Sequence, residues 1–130
     1  MFQNLTVFET AYAMAVHASQ RQAVIAQNVA NADTPGFVGR DLVPFQEVYA
    51  SDGANRSFQR ATREGHLFGG SSENLDGIMR EDRTLASPDG NTVSLETEML
   101  RATDANRQYD RSLAIYKSAL NILRSSLGRQ

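Results

Sequence analysis

The last third of the chain carries a regular pattern of apolar positions. From Leu95 to Leu127 they recur at alternating steps of four and three residues, and Asn106 is the one polar residue in the series. A spacing of 3.5 residues held over this length is typical of a coiled-coil seam, and the helix would span about 50 Å. The seam consists of Leu95, Met99, Ala102, Asn106, Tyr109, Leu113, Tyr116, Leu120, Leu123 and Leu127.

Asn106 has two interpretations at this stage. A polar residue in a seam costs some stability but fixes register or orientation. Alternatively, its side chain faces the first helix or solvent and contributes little. For Tyr109 and Tyr116, packing in the seam is the simple expectation.

A looser form of the same pattern predicts a first helix over residues 6–31, with a capping box at Thr6 and Glu9. Between Thr10 and Ala32 the only ionisable side chains are His17 and Arg21. This helix is either a high-propensity member of a small bundle or a helix covered on several sides. Its apolar seam positions are Leu5, Phe8, Tyr12, Ala15, Ala26 and Val29, with Ser19 and Gln22 in the same series.

The first helix should end at the turn that follows it. Pro35 cannot continue a helix, and Pro35 and Gly36 suit the two central positions of a type II turn. Asn31 is expected to take a left-handed conformation at the helix end. The turn is therefore specified by its residues.

The middle of the chain has little periodicity. Residues 37–43 predict a short extended segment and residues 45–49 about one helical turn. Residues 51–92 are rich in Gly, Ser, Asn and Asp and predict one or two short strands at most. Such a segment is either disordered alone or ordered by a partner.

The last helix has clear end signals. The turn residues Ser87–Asn91 precede it, Ser94 is the expected N-cap, and Gly128 is the expected stop. Together these patterns predict a mainly α fold, in which long N- and C-terminal helices pair as a coiled-coil-like hairpin around an irregular or short-β middle. The expected parts of this one domain are residues 1–36, 37–92 and 93–130.

Composition narrows the class of protein. Thirteen basic and fifteen acidic residues give a net charge of −2, so non-specific nucleic-acid binding has no electrostatic driving force. The absence of cysteine excludes disulfides and thiolate sites. No apolar run reaches the ~18 residues of a membrane span, and no basic segment precedes an apolar one at the start. We therefore expect no membrane span and no cleaved signal peptide.

Chemistry-bearing residues do not form a recognisable site. His17 and His66 are the only histidines and lie far apart in the sequence. The spacing of Asp82, Asp89 and Glu96 does not match a calcium loop, and no Gly-rich phosphate loop precedes a helix. The sequence predicts no catalytic residues, no cofactor and no metal, and hence a protein that is not an enzyme.

Two runs of residues resemble a known family. One closes the first helix and the other opens the last helix, and both are similar to the bacterial flagellar basal-body rod proteins of the proximal, FlgB type. Arg40, Asp41 and Phe45 also match the family pattern, whereas residues 51–85 match it only loosely. The motif residues are Asn28, Asn31, Ala32, Asp33, Thr34, Pro35, Gly36 and Phe37 in the first run and Asp89, Gly90, Asn91 and Val93 in the second.

The resemblance implies a structural function. Rod proteins of this type pair their terminal helices, and copies stack helically into an axial tube that transmits torque from the base of the flagellum. The resemblance implies a location in the basal body, on the periplasmic side of the inner membrane, after type III export without a cleaved signal peptide. The implied partners are other copies of the chain, a FliE-type protein, rod proteins of the FlgC and FlgF types, and the export gate.

Two other functions remain open from the residues alone. An autonomous helical hairpin would suit an adaptor or chaperone of a type III secretion system, which would form a stable dimer without a filament. An amphipathic membrane-surface module is disfavoured, because the first helix has no basic face.

Overall fold

The architecture comes from a computed structural model, which describes residues 2–55, 79–82 and 87–128, with side chains described for 6–50, 79–82 and 87–128. The described elements are, in chain order, α1 (Phe2–Ala30), β1 (Gly39–Leu42), α2 (Phe45–Asn55), β2 (Met79–Asp82) and α3 (Leu95–Leu127). The long terminal helices and the small sheet confirm the predicted mainly α fold.

Helices α1 and α3 form an antiparallel pair. Near one end the rings of Phe8 and Tyr116 meet edge to face, with centroids 5.1 Å apart. Near the other end Asn28 Nδ2 donates to Glu98 Oε2 at 3.2 Å. Each helix has a series of buried residues that recurs every seven positions, namely Ala11, Ala18 and Ile25 in α1 and Glu98, Ala105 and Ser112 in α3. Because most of them are small, the two backbones can approach closely.

The helix ends differ in part from the predictions. Helix α1 already begins at Phe2, so Thr6 lies within the helix and is not its N-cap. The carbonyl of Thr6 accepts a hydrogen bond from Thr10 Oγ1 at 2.7 Å. Asn31 does not take the predicted left-handed conformation, because only glycines have positive φ among the described residues. Ser94 is the N-cap residue of α3 but makes no side-chain capping bond, and α3 ends before Gly128.

A two-stranded sheet lies against one side of α1. Strand β1 pairs antiparallel with β2, with Gly39 opposite Asp82 and Leu42 opposite Met79. The predicted extended segment and one predicted strand of the middle are therefore present, and α2 runs further than the single turn expected. Residues 56–78 and 83–86, which include His66, lie outside the described residues.

His17 of α1 contacts the segment that connects β1 to α2. It is buried, and its Nε2 lies 2.8 Å from the carbonyl oxygen of Val43, so Nε2 carries the proton and donates. Its ring also meets that of Phe45 at a centroid distance of 5.7 Å. Leu42, Val43 and Val48 are buried beside it and form a small core between the sheet, α2 and α1. His17 is thus a packed core histidine.

Candidate assembly site

The two family-like runs form one interlocked pair of loops. The Gly36 N–H donates to the Asp89 carbonyl at 3.0 Å, and the Thr92 N–H donates to the Phe37 carbonyl at 3.1 Å. The Gly39 N–H then donates to Thr92 Oγ1 at 2.8 Å. These bonds join the end of α1 to the beginning of α3, although the two loops are about fifty residues apart in sequence.

We call the hydrogen-bonded junction of residues 31–39 with residues 89–93 the lock, and Asn91 lies at its centre. Its side chain is buried, and its Nδ2 group donates to the carbonyls of Asn31, Ala32 and Thr34 at 3.0, 2.7 and 2.9 Å. Its Oδ1 accepts the Val93 N–H at 2.8 Å. Carbonyls at the end of a helix have no partner within the helix, so Asn91 supplies partners that α1 cannot supply itself. Asn91 therefore caps α1 from the other loop.

Two glycines shape the contact between the loops. The Phe37 N–H donates to the Thr34 carbonyl at 3.2 Å, and Gly36 has φ of 72°, which together make the predicted type II turn. Gly90 has φ of 80°, and a Cβ built on it would lie 3.5 Å from Gly36 Cα. Pro35 and Asp33 are exposed beside the turn. Both glycines thus use the left-handed region that other residues rarely adopt.

We expect Gly36→Ala to destabilise the fold by about 1–2 kcal/mol, because L-residues are strained at positive φ. Nothing lies within 4 Å of a Cβ built at this position, so the loss would come from the backbone alone. Urea unfolding followed by circular dichroism measures it. Gly36→Asn is the control and should cost less, since Asn tolerates this region better. An equal loss for both variants would contradict the backbone explanation.

Asn28 connects α1 to both β1 and α3. Its Nδ2 donates to the Arg40 carbonyl at 2.6 Å, and its Oδ1 accepts the Arg40 N–H at 3.1 Å. The amide thus bonds the edge of β1 as a neighbouring strand would. The same Nδ2 also donates to Glu98 of α3. Because Asn28 is buried, loss of its side chain would leave the carbonyl and the N–H of Arg40 and the carboxylate of Glu98 without this hydrogen-bond partner.

A cluster of five charged residues lies beside this junction. Arg21 of α1 donates two hydrogen bonds to Asp41 of β1, at 2.9 and 2.8 Å. Arg101 of α3 donates to Glu98 at 2.8 Å and to Asp82 of β2, and its Nε lies 3.6 Å from Asp41. The cluster, defined as Arg21, Asp41, Asp82, Glu98 and Arg101, therefore connects α1, both strands and α3.

Electrostatics within the cluster favour the charged forms of the arginines. The hydrogen bond to Asp41 raises the pKa of Arg21 above its ordinary value, against the opposing effect of burial. Burial lowers the pKa of Arg101, but the hydrogen bond to Asp82 and the charge of Glu98 outweigh it and raise that pKa overall. Both guanidinium groups are therefore charged at neutral pH.

The sequence does not predict this cluster. In the sequence, Arg21 stands out only as one of the two ionisable residues between Thr10 and Ala32, and Asp41 only as part of the family pattern. A lone arginine in the otherwise uncharged stretch between Thr10 and Ala32 is the available signal, because a half-buried guanidinium needs an acidic partner. The sequence offers no means of choosing that partner among fifteen acidic residues.

The buried positions of the helix contact lie beside the predicted seam, although the seam pairs Phe8–Tyr116 and Gln22–Asn106 also meet across it. In both helices the buried contact residues come one position earlier, as Ala11 precedes Tyr12 and Ser112 precedes Leu113. Exposed seam residues are Tyr12, Ala26, Val29, Leu95, Met99, Asn106, Tyr109, Leu113, Tyr116 and Leu127. Half-buried seam residues are Phe8, Ala15, Ala102, Leu120 and Leu123, and the side chain of Leu5 is outside the described set.

Four of the exposed seam residues, Tyr12, Tyr109, Leu113 and Tyr116, border a groove on one flank of the helix pair. This open groove has a volume of about 490 Å³. Its lining includes Tyr12, Ala15 and Val16 of α1 and Tyr109, Leu113 and Tyr116 of α3. Large apolar side chains that share one surface in this way are typical of sites that contact other proteins.

The polar seam residues meet across the pair. Gln22 Nε2 donates to Asn106 Oδ1 at 2.7 Å, and both side chains are exposed. Asn106 therefore faces the first helix. A pair between two polar seam positions favours the register in which they lie opposite each other.

Two kinds of site are absent from the described part of the chain. Residues 2–55, 79–82 and 87–128 contain no group of three or more His, Asp or Glu side chains placed to hold a metal ion. No helix within those residues combines the length and apolarity needed to cross a bilayer.

Known proteins resemble this chain over most of its length. A family model described as "Flagella basal body rod protein" matches residues 15–37, from the middle of α1 to the end of the turn. "Flagellar basal body rod protein FlgB" of Agrobacterium fabrum is 34% identical over 121 residues, covering 89% of this chain and 88% of that protein. The protein of the same name from Escherichia coli K12 is 32% identical, covering 82% and 85%.

A third relative, also named FlgB, comes from Aeromonas hydrophila. It is 31% identical over 122 residues, covering 92% of this chain and 90% of that protein. These matches confirm the resemblance inferred from the two interlocked runs. The chain belongs to the family of flagellar basal-body rod proteins of the FlgB type.

Proposed function

We propose that this chain is a subunit of the proximal part of the flagellar rod, and that copies assemble helically through α1 and α3 into an axial tube. The observation that supports this most directly is the exposed apolar flank of the helix pair. Tyr12 and Met99 are 70% and 69% exposed on it. A stable monomer has no need of such a surface, whereas a subunit in a tube covers it with its neighbours.

As a rod protein, the chain is a structural component of the flagellar basal body and not an enzyme. It associates with other rod and basal-body components. The finer assignments belong to our proposal. Its partners would be other copies of the chain, a FliE-type protein, rod proteins of the FlgC and FlgF types, and the export gate. It would reach the periplasmic side of the inner membrane by type III export without a cleaved signal.

Torque transmission is supported by the interlocked loops. Asn91 and the charged cluster tie the end of α1 to the beginning of α3, so that the two helices would turn as one unit. A subunit held at only one apolar contact would twist internally when loaded. We propose that residues 1–36, 37–92 and 93–130 form one rod-type domain for this reason, with Phe37 to Val43 leading from the lock into the sheet.

The test is amide hydrogen exchange on the purified chain and on isolated basal bodies. In the free chain we expect fast exchange at the ends of α1 and α3 far from the lock, where Ile122 and Leu127 are 61% and 78% exposed. In basal bodies the same amides should exchange slowly. The amides of Ala105 and Ile25, buried within the pair, provide an internal control and should be protected in both samples.

Other outcomes of this experiment are equally decisive. Slow exchange at both helix ends of a free dimer would favour the adaptor or chaperone function. Absence of the chain's peptides from purified basal bodies would contradict the proposed rod subunit.

A further inference from the structure

We propose that copies of this chain bind one another through two different flanks of the helix pair, with Tyr12 of one copy entering a groove on the opposite flank of the next copy. The proposal rests on the assembly proposed above and adds which surfaces meet. This second groove, the back groove, has a volume of about 350 Å³. It is lined by Thr6, Val7, Thr10, Ala11 and Met14 of α1, Tyr49 of α2 and Ile115 of α3.

The two grooves lie on opposite flanks of the same contact. Both border Ala11, which is buried between the helices. On α3, Leu113 lines the open groove and Ile115 the back groove. Residues two apart on an α-helix point about 160° apart, so these side chains leave the helix in nearly opposite directions. A copy can therefore present both grooves at once, to two different neighbours.

The linings of both grooves lack charge, which favours a second copy as the occupant. On α1 the exposed side chains from Tyr12 to Ala30 are uncharged, because His17 is buried and Arg21 pairs with Asp41. The lining of the back groove is also uncharged. A partner that brings charged groups would lose their hydration without compensation. The lining of the back groove of another copy brings only apolar groups and hydroxyls.

The pairing has a geometric consequence. When one flank binds a different flank of the next copy, each added copy exposes the same free surface again. Such a contact continues as a ring or a helix, whereas a contact of the open flank with itself would stop at a dimer. The two cases can be separated with variants that disable one flank each.

The experiment is sedimentation velocity on full-length chains over a concentration series. Tyr12→Asp disables the open flank and Ile115→Asp the back flank, because each would bury an unpaired charge in the contact. Each variant alone should need at least about tenfold more protein to associate than the unmodified chain. An equimolar mixture should form a one-to-one complex that does not grow, because one intact flank remains on each variant.

Controls keep the result interpretable. Asn121→Asp adds the same charge at an exposed position of α3 that lines neither groove, and it should associate like the unmodified chain. Val7→Asp repeats the back-flank test from α1, in case Ile115→Asp unfolds. Circular dichroism verifies that each variant keeps its helix content.

The opposite results would overturn the proposal. If Ile115→Asp and Val7→Asp associate normally alone while Tyr12→Asp does not, the open flank binds itself. If the mixture forms no complex, the two flanks do not meet. If the unmodified chain is present in basal bodies, either result would contradict only this pairing of flanks and not the rod function. Absence of the chain from basal bodies would contradict the rod function itself.

Discussion

Asn91→Ala is expected to destabilise the chain by about 2–4 kcal/mol, one of the two largest effects of a single substitution here. Asn91 is 2% exposed, and its side chain bonds three carbonyls at the end of α1 and the N–H of Val93. The Asn31 and Thr34 carbonyls keep their bonds from the backbone N–H groups of Thr34 and Phe37, whereas the Ala32 carbonyl and the Val93 N–H lose their bonds to Asn91. Each buried group left without a partner costs about 1–3 kcal/mol, reduced where water can replace the side chain. The lock between α1 and α3 would open as a result.

Urea unfolding followed by far-ultraviolet circular dichroism measures the loss for Asn91→Ala. Asn121→Ala is the matched control, because Asn121 is an exposed asparagine of α3, and it should change stability by less than about 0.5 kcal/mol. Hydrogen exchange adds a local readout, since the amides of Gly36 and Thr92 should lose protection first. Equal stability of the two variants would show that Asn91 does not hold the lock.

Arg101→Met is expected to cost about 2–4 kcal/mol. Arg101 contacts Glu98, Asp82 and Asp41. Glu98 is 2% exposed, and removing its cation leaves a buried carboxylate with only the Asn28 amide as a hydrogen-bond donor among the described residues. Breaking a fully buried pair costs about 3–5 kcal/mol, and the partial exposure of the Arg101 side chain reduces that figure.

Arg107→Met is the control for Arg101→Met. Its side chain is 75% exposed and lies 3.9 Å from Asp104, so its loss should cost less than about 1 kcal/mol. Arg101→Lys should restore only part of the stability, because a single ammonium group cannot reach three carboxylates as a guanidinium does. The same denaturant titration compares all three variants. Similar losses for Arg101→Met and Arg107→Met would contradict a role for the cluster in fixing the sheet against the helices.

The two predictions concern neighbouring parts of one junction. Arg101 bonds Glu98, which accepts a bond from Asn28 in the last turn of α1. The Asn28 carbonyl accepts the N–H of Asn31, whose own carbonyl is bonded by Asn91. Variants that share a network are expected to be non-additive. A double variant that loses less than the sum of the two would show that the lock and the cluster support each other.

Local structure followed closely from the residues. The heptad spacing from Leu95 to Leu127 predicted α3 with its bounds, because a long periodic apolar series leaves few other ways to bury its surface. Pro35 and Gly36 predicted their turn, because proline fixes φ and glycine alone readily adopts positive φ. The start of α1 was wrong, since a helix can extend past a capping sequence when nothing in the backbone prevents it.

The sequence by itself determined that this is a pair of long helices with a family-like run at the end of the first and another before the second, because periodicity and turn chemistry act over a few residues. The tertiary structure decided that these two runs interlock. Only the tertiary structure decided which stripe of each helix makes the contact. Ala11, Ala105 and Ser112 lie in it because small side chains let the backbones approach, and this moves Tyr12 and Leu113 to the open flank. Tertiary structure also chose Asp41 and Arg101 as partners, since charges so distant in sequence meet only after the chain has folded.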